Sequence, residues 1–136
     1  MGAGWAWAGD EYANNTFYGY QAGSSTVTGT LNAFFGAFAG TNNYSGRYNT
    51  FVGDQAGFSN LHGCYNTFLG NGAGRSAGTD PADWGHYNTF VGSDAGYDHT
   101  TGDDNTFIGY DAGHTNSTGI SHICRISGRQ RGQWFW

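Results

Sequence analysis

Residues 63–74 read Gly63-Cys64-Tyr65-Asn66-Thr67-Phe68-Leu69-Gly70-Asn71-Gly72-Ala73-Gly74, and most of the chain is a variation on them. The recurring part is Asn-Thr-Phe, an apolar residue, Gly, two free positions, then Ala-Gly. Copies begin at Asn15, Asn32, Asn49, Asn66, Asn88 and Asn105, so the step is 17 residues four times and 22 once, between Asn66 and Asn88. A short fixed step is the mark of a solenoid, in which each repeat is one coil that buries its apolar face against the next. A glycine also stands three residues before the Asn in every copy but the first (Gly29, Gly46, Gly63, Gly85, Gly102). Glycines so placed are where a coil turns a corner.

Composition agrees with this reading. The 136 residues include 25 Gly and one Pro, and 11% are charged, unlike an ordinary globular chain. The glycine spacing leaves no helical stripe, and no apolar run is long enough for a bilayer-spanning helix. No membrane partner is expected. All ten acidic residues lie in the first 111 positions, opposed there only by Arg47 and Arg75, so the body is acidic and a nucleic-acid partner is not expected. The two cysteines, Cys64 and Cys124, occupy different repeat positions and suggest neither a disulfide framework nor a zinc motif.

Strand alternation sends the Phe of each copy to one face (Phe17, Phe34, Phe51, Phe68, Phe90, Phe107). The Thr and the fourth residue (Tyr18, Phe35, Val52, Leu69, Val91, Ile108) go to the other. A single coil has one inside, so an apolar residue on each face implies that the outer one is covered, most simply by another copy of the chain. The fold expected is therefore all-β, a parallel β-solenoid of about six coils, assembled as a side-by-side homotrimer. Residues 1–14 fit the repeat poorly and read as an N-terminal cap, with Trp5 and Trp7 lying over the first coil. Residues 15–118 form the solenoid, and residues 75–84 hold the extra five as an insertion loop of the kind that often marks a working face.

The tandem Asn-Thr-Phe-apolar-Gly units resemble those of phage tail-fibre proteins and, more distantly, of trimeric autotransporter adhesin heads. The resemblance implies a homotrimer of parallel β-coils within a fibre that presents a receptor-binding tip, on a virion or cell surface. The tip and the C-terminal chaperone domain that such fibres often carry are not in this sequence, so a fragment is expected. Residues 119–136 leave the pattern. One permitted codon choice for Ser121 to Arg129, read one nucleotide later, gives Ala-Ile-Phe-Ala-Gly-Tyr-Gln-Ala-Gly where the seventh copy is due. The tail thus reads as a frameshifted repeat, to be decided by the coding DNA.

Stacking turns each repeat position into a column whose members are about 4.8 Å apart. Most columns are uniform. The one after the leading Gly is not: it runs Ala13, Thr30, Arg47, Cys64, His86, Asp103. A thiol with an imidazole in reach, itself backed by a carboxylate, is the chemistry of a thiol nucleophile, and Arg47 would favour the thiolate. Cys64, His86 and Asp103 are therefore the candidate catalytic residues for hydrolysis of activated esters or related acyl or phosphoryl substrates. Arg47, Tyr65, Trp84 and Tyr87 are candidate pocket walls. Strand parity would put this column inside, where Arg, His and Asp do not fit, so a corner or bulge near the Asn is expected. The bland alternative is that an outward column simply collects polar residues, in a fibre-shaft or adhesive module without chemistry. No cofactor is expected, since no glycine-rich phosphate loop precedes a helix. Because His62, His99 and His114 lie at different turn positions, no metal site is expected within one protomer, although a threefold axis could gather one His from each chain.

Overall fold

The computed structural model describes residues 14–79 and 85–120, together with the backbone of residues 123–125. Seven three-residue strands stack in chain order into one parallel sheet: β1 (Thr16–Tyr18), β2 (Ala33–Phe35), β3 (Thr50–Val52), β4 (Thr67–Leu69), β5 (Thr89–Val91), β6 (Thr106–Ile108) and β7 (Ile123–Arg125). The chain is an all-β parallel solenoid, and the described residues contain no helix. Successive strands pair at an offset of 17 residues, for example Phe51 with Phe68, except that Thr67 pairs with Thr89. The extra five residues are thus absorbed before Gly85 without a slip in register. The backbone of β7 pairs Phe107 with Cys124, so a seventh rung forms where the seventh copy is due. Trp5, Trp7 and Trp84, with residues 1–13 of the cap, 80–84 of the insertion loop and 121–122 and 126–136 of the tail, lie outside the described residues.

The interior is made of columns. Phe34, Phe51, Phe68, Phe90 and Phe107 are fully buried, and their rings stack almost parallel with centroids 4.7–4.8 Å apart. Their spacing is the rise of the coil itself, so a ring at this repeat position always meets its copies above and below. The Ala of each Ala-Gly pair lies buried beside them. The glycine that follows has a steric reason: Gly57 sits at φ +59°, and a Cβ there would stand 2.5 Å from the Phe51 ring. Gly53, which ends β3, faces the next coil so closely that a Cβ would collide with the Gly70 carbonyl.

A second ladder, which the sequence reading left without a role, runs through the asparagines. The Asn49 side chain accepts from the Asn66 N–H (2.9 Å) and donates to the Gly63 carbonyl (2.8 Å). The same pair of bonds recurs at Asn32, Asn66 and Asn88. A buried amide that both donates and accepts meets the demands of a corner whose backbone groups cannot reach water.

The outer face is as the alternation requires. Tyr18, Phe35, Val52, Leu69 and Ile108 are 36–65% exposed, a row of large apolar groups along the solenoid opposite the phenylalanine stack. Val91 on the same row is half-buried.

Candidate functional site

The corner expected near the Asn is at the residue before it. Leu31, Tyr48, Tyr65, Tyr87 and Asp104 all take φ between +57° and +60°, a left-handed conformation that interrupts the strand. The interruption turns the preceding column out of the core: Arg47 is exposed, and Cys64, His86 and Asp103 are half-buried. It also swings the tyrosines outward, where Tyr48, Tyr65 and Tyr87 stack at 4.7 and 5.0 Å with their edges in solvent.

Arg47, Cys64, His86 and Asp103 occupy successive rungs, each bonded to the one before through its backbone. The Arg47 N–H donates to Cys64 Sγ (3.4 Å), the Cys64 N–H to His86 Nδ1 (3.0 Å), and the His86 N–H to Asp103 Oδ1 (2.6 Å). The thiol in turn donates to the His62 carbonyl at 3.3 Å. In this geometry Nδ1 of His86 is an acceptor, which puts the neutral ring's proton on Nε2. The Asp103 carboxylate holds the backbone of His86 rather than its ring, and the thiol proton goes to a carbonyl rather than to the imidazole. The side chains of Cys64, His86 and Asp103 therefore each cap an N–H of the coil below.

Two groups near this column have shifted titrations. The His62 pKa is lowered from 6.5, first by partial burial and then by the neighbouring His86. Tyr65 is raised, chiefly by desolvation in the tyrosine stack and next by Tyr48 and Tyr87, with Arg47 pulling the other way.

Of the candidate pocket walls, Tyr65 and Tyr87 flank the column on its outer side, with the His86 and Tyr87 rings tilted at 6.3 Å. Trp84 lies outside the described residues. No cluster of three metal-ligating side chains occurs among the described residues. His99 is fully buried inside the coil, with Nδ1 2.7 Å from the Asn116 carbonyl and Nε2 3.1 Å from that of Gly102. Among the described residues, no helix is long and apolar enough to cross a membrane.

Sequence reasoning missed a second place of chemical interest, where Gly72 interrupts the column Gln21, Phe38, Gln55, Asp94, Asp111 beside Arg75. The signal was there to read, since this is the only glycine at that repeat position. No family model, no curated protein and no solved structure matches the chain.

Proposed function

We propose that the chain is a structural module of a fibre, a shaft segment of the phage tail-fibre and trimeric-adhesin-head kind, assembled by side-by-side association of copies. The observation that carries this reading is the outer strand face: Tyr18, Phe35, Val52, Leu69 and Ile108 lie exposed in one straight row along the sheet. A continuous apolar row on a soluble solenoid marks an interaction surface. Because the row repeats with the coil, a second copy set parallel meets it rung for rung, and a closed ring of copies buries it on every protomer. Three copies is the number that the resemblance of the repeats implies.

Sedimentation tests it. The chain should sediment at three times its 14.5 kDa mass, and the double variant Val52→Lys, Leu69→Lys should fall to the monomer with its circular dichroism unchanged. A wild-type protein that is monomeric at every concentration tested would refute assembly through this face.

A second reading is thiol chemistry at Cys64, His86 and Asp103. It is favoured by the Arg47 N–H aimed at Cys64 Sγ, since a donor on sulfur favours the thiolate. In this reading Cys64 attacks the carbonyl of an activated ester, and the alcohol leaves with the proton that His86 took from the thiol. Water deprotonated by His86 then cleaves the resulting thioester to the acid and the free thiol, and Asp103 orients His86. His86 would have to release the Cys64 N–H and turn its ring toward the thiol. The shaft reading needs no such rearrangement, and for that reason stands first.

A further inference from the structure

The turn after each strand places two residues in the left-handed region, the glycine of Ala-Gly and, two residues before it, Gln21, Phe38, Gln55, Gly72, Asp94 or Asp111, the latter with φ between +54° and +63°. Five of these six latter residues carry a side chain. At Gly72 there is none, and a cleft of about 400 Å³ runs along the coils from Gln55 to His114.

Its walls are ordered and chemically mixed. The Arg75 guanidinium is held between two aromatic faces, 5.3 Å from the centroid of Phe58 and 5.4 Å from that of Tyr97. Its Nε donates to Gln55 Oε1 at 2.8 Å, which fixes the rotation of the group, and the residue lines the cleft. No carboxylate of a described residue forms an ion pair with Arg75. A guanidinium locked by stacking and by one hydrogen bond has lost its side-chain freedom before any ligand arrives, and its fork matches a carboxylate. Across the cleft, Asp94 Oδ1 leans into the space over Gly72, where a Cβ would collide with it. Asn71, whose amide donates to the Asp54 carboxylate at 3.3 Å, and His114, 3.6 Å from the Asp98 carboxylate, complete the lining.

We infer that this cleft binds a small carboxylate whose adjacent atoms carry N–H or O–H donors, the carboxylate on the Arg75 fork and the donors on Asp94. Asp94 argues against a phosphate or polyanion, because the added negative charge would face a carboxylate in an already acidic body. The volume suits one ring or one amino acid. Two sources share this chemistry, an acidic monosaccharide and a free α-amino acid.

The test uses the full chain, isotope-labelled, titrated by NMR with glucuronate, with alanine, and with the methyl ester of each. Shifts confined to Asn71, Gly72, Arg75, Asp94 and Tyr97 are expected with one acid or both, and the esters should leave them unmoved. Glucuronate alone would assign the sugar source, alanine alone the amino acid, and both together the shared carboxylate. Arg75→Gln should weaken binding by about tenfold or more, the scale of a charge-assisted hydrogen bond. Gly72→Gln should abolish it, with the Asp94 carboxylate turning aside to admit the new side chain; Gln21 and Gln55 hold the same left-handed backbone elsewhere in the chain, and an unchanged circular dichroism spectrum checks that the fold is kept. Binding of neither acid, equal binding of the esters, or indifference to either substitution would overturn the proposal. The outcome is independent of the oligomeric state on which the shaft reading rests.

Discussion

Two ladders of polar side chains climb this solenoid a few residues apart, and only one of them is uniform. The asparagine ladder is buried, and each rung both accepts a backbone N–H and donates to a glycine carbonyl. The ladder of Arg47, Cys64, His86 and Asp103 is half-exposed, and from Cys64 onward each rung supplies a single lone pair to the N–H below. Only Asn has a side chain short enough for the corner that offers both a carbonyl and an amide. Sulfur, imidazole nitrogen and carboxylate oxygen each satisfy the lighter demand. Chemical variety therefore costs little at the outer position, and an order resembling a catalytic relay can arise there from capping alone.

The largest effect should follow from breaking the strict ladder. Asn66→Ala removes the acceptor of the Asn88 N–H and a donor to the Gly85 carbonyl at a fully buried position, and each lost partner costs about 1–3 kcal/mol. A loss of about 3 kcal/mol or more in chemical denaturation is expected. A loss below about 1 kcal/mol would mean that the ladder is redundant with the strand bonds beside it.

The permissive ladder should respond much less. Cys64→Ala and Asp103→Ala should each cost about 1 kcal/mol or less, because water can reach the freed N–H at a half-exposed corner. A chromogenic ester should then be turned over at equal rates by wild type and Cys64→Ala. Loss of turnover in the variant, with circular dichroism unchanged, would move this column from capping to chemistry and raise the thiol reading above the shaft.

The contrast also explains what the sequence disclosed. The strand positions, the inward phenylalanines and the survival of register across the insertion follow from spacing alone, because a parallel stack forces equal repeat positions to superpose. The column of Cys64, His86 and Asp103 could be placed for the same reason. Its hydrogen bonds could not, since they depend on the left-handed twist at Tyr48, Tyr65 and Tyr87, and bulky residues at positive φ leave little trace in a sequence. His99 was equally opaque: it takes the buried place that Asn43 and Asn60 hold in earlier coils, donating as they do to the glycine three residues on. Arg75 gave no warning of its aromatic sandwich because Phe58 and Tyr97 are 17 and 22 residues away from it along the chain, one coil to either side.

The finest test of the outer ladder is electrostatic. His62 lies beside the column, with Ser45 Oγ at its Nδ1, the Tyr44 ring edge-on at 5.8 Å, and the His86 charge lowering its pKa after burial does. A base whose folded pKa is depressed below 6.5 binds its proton more readily in the unfolded chain. Its contribution to stability is therefore complete above pH 6.5 and is shed as the pH falls below that value, until the folded-state pKa is passed. Denaturation midpoints measured from pH 8 downward should decline in that window, and His62→Ala should remove part of the decline. Because His62 is partly open to solvent, the effect should be the smallest of the three and should shrink further in salt wherever His86 is its source. His86→Gln separates the two causes: it should abolish the salt-sensitive part and leave the part due to burial. A decline that His86→Gln leaves wholly intact would mean that the two imidazoles do not sense one another, and that the outer ladder is a set of independent caps rather than a coupled cluster.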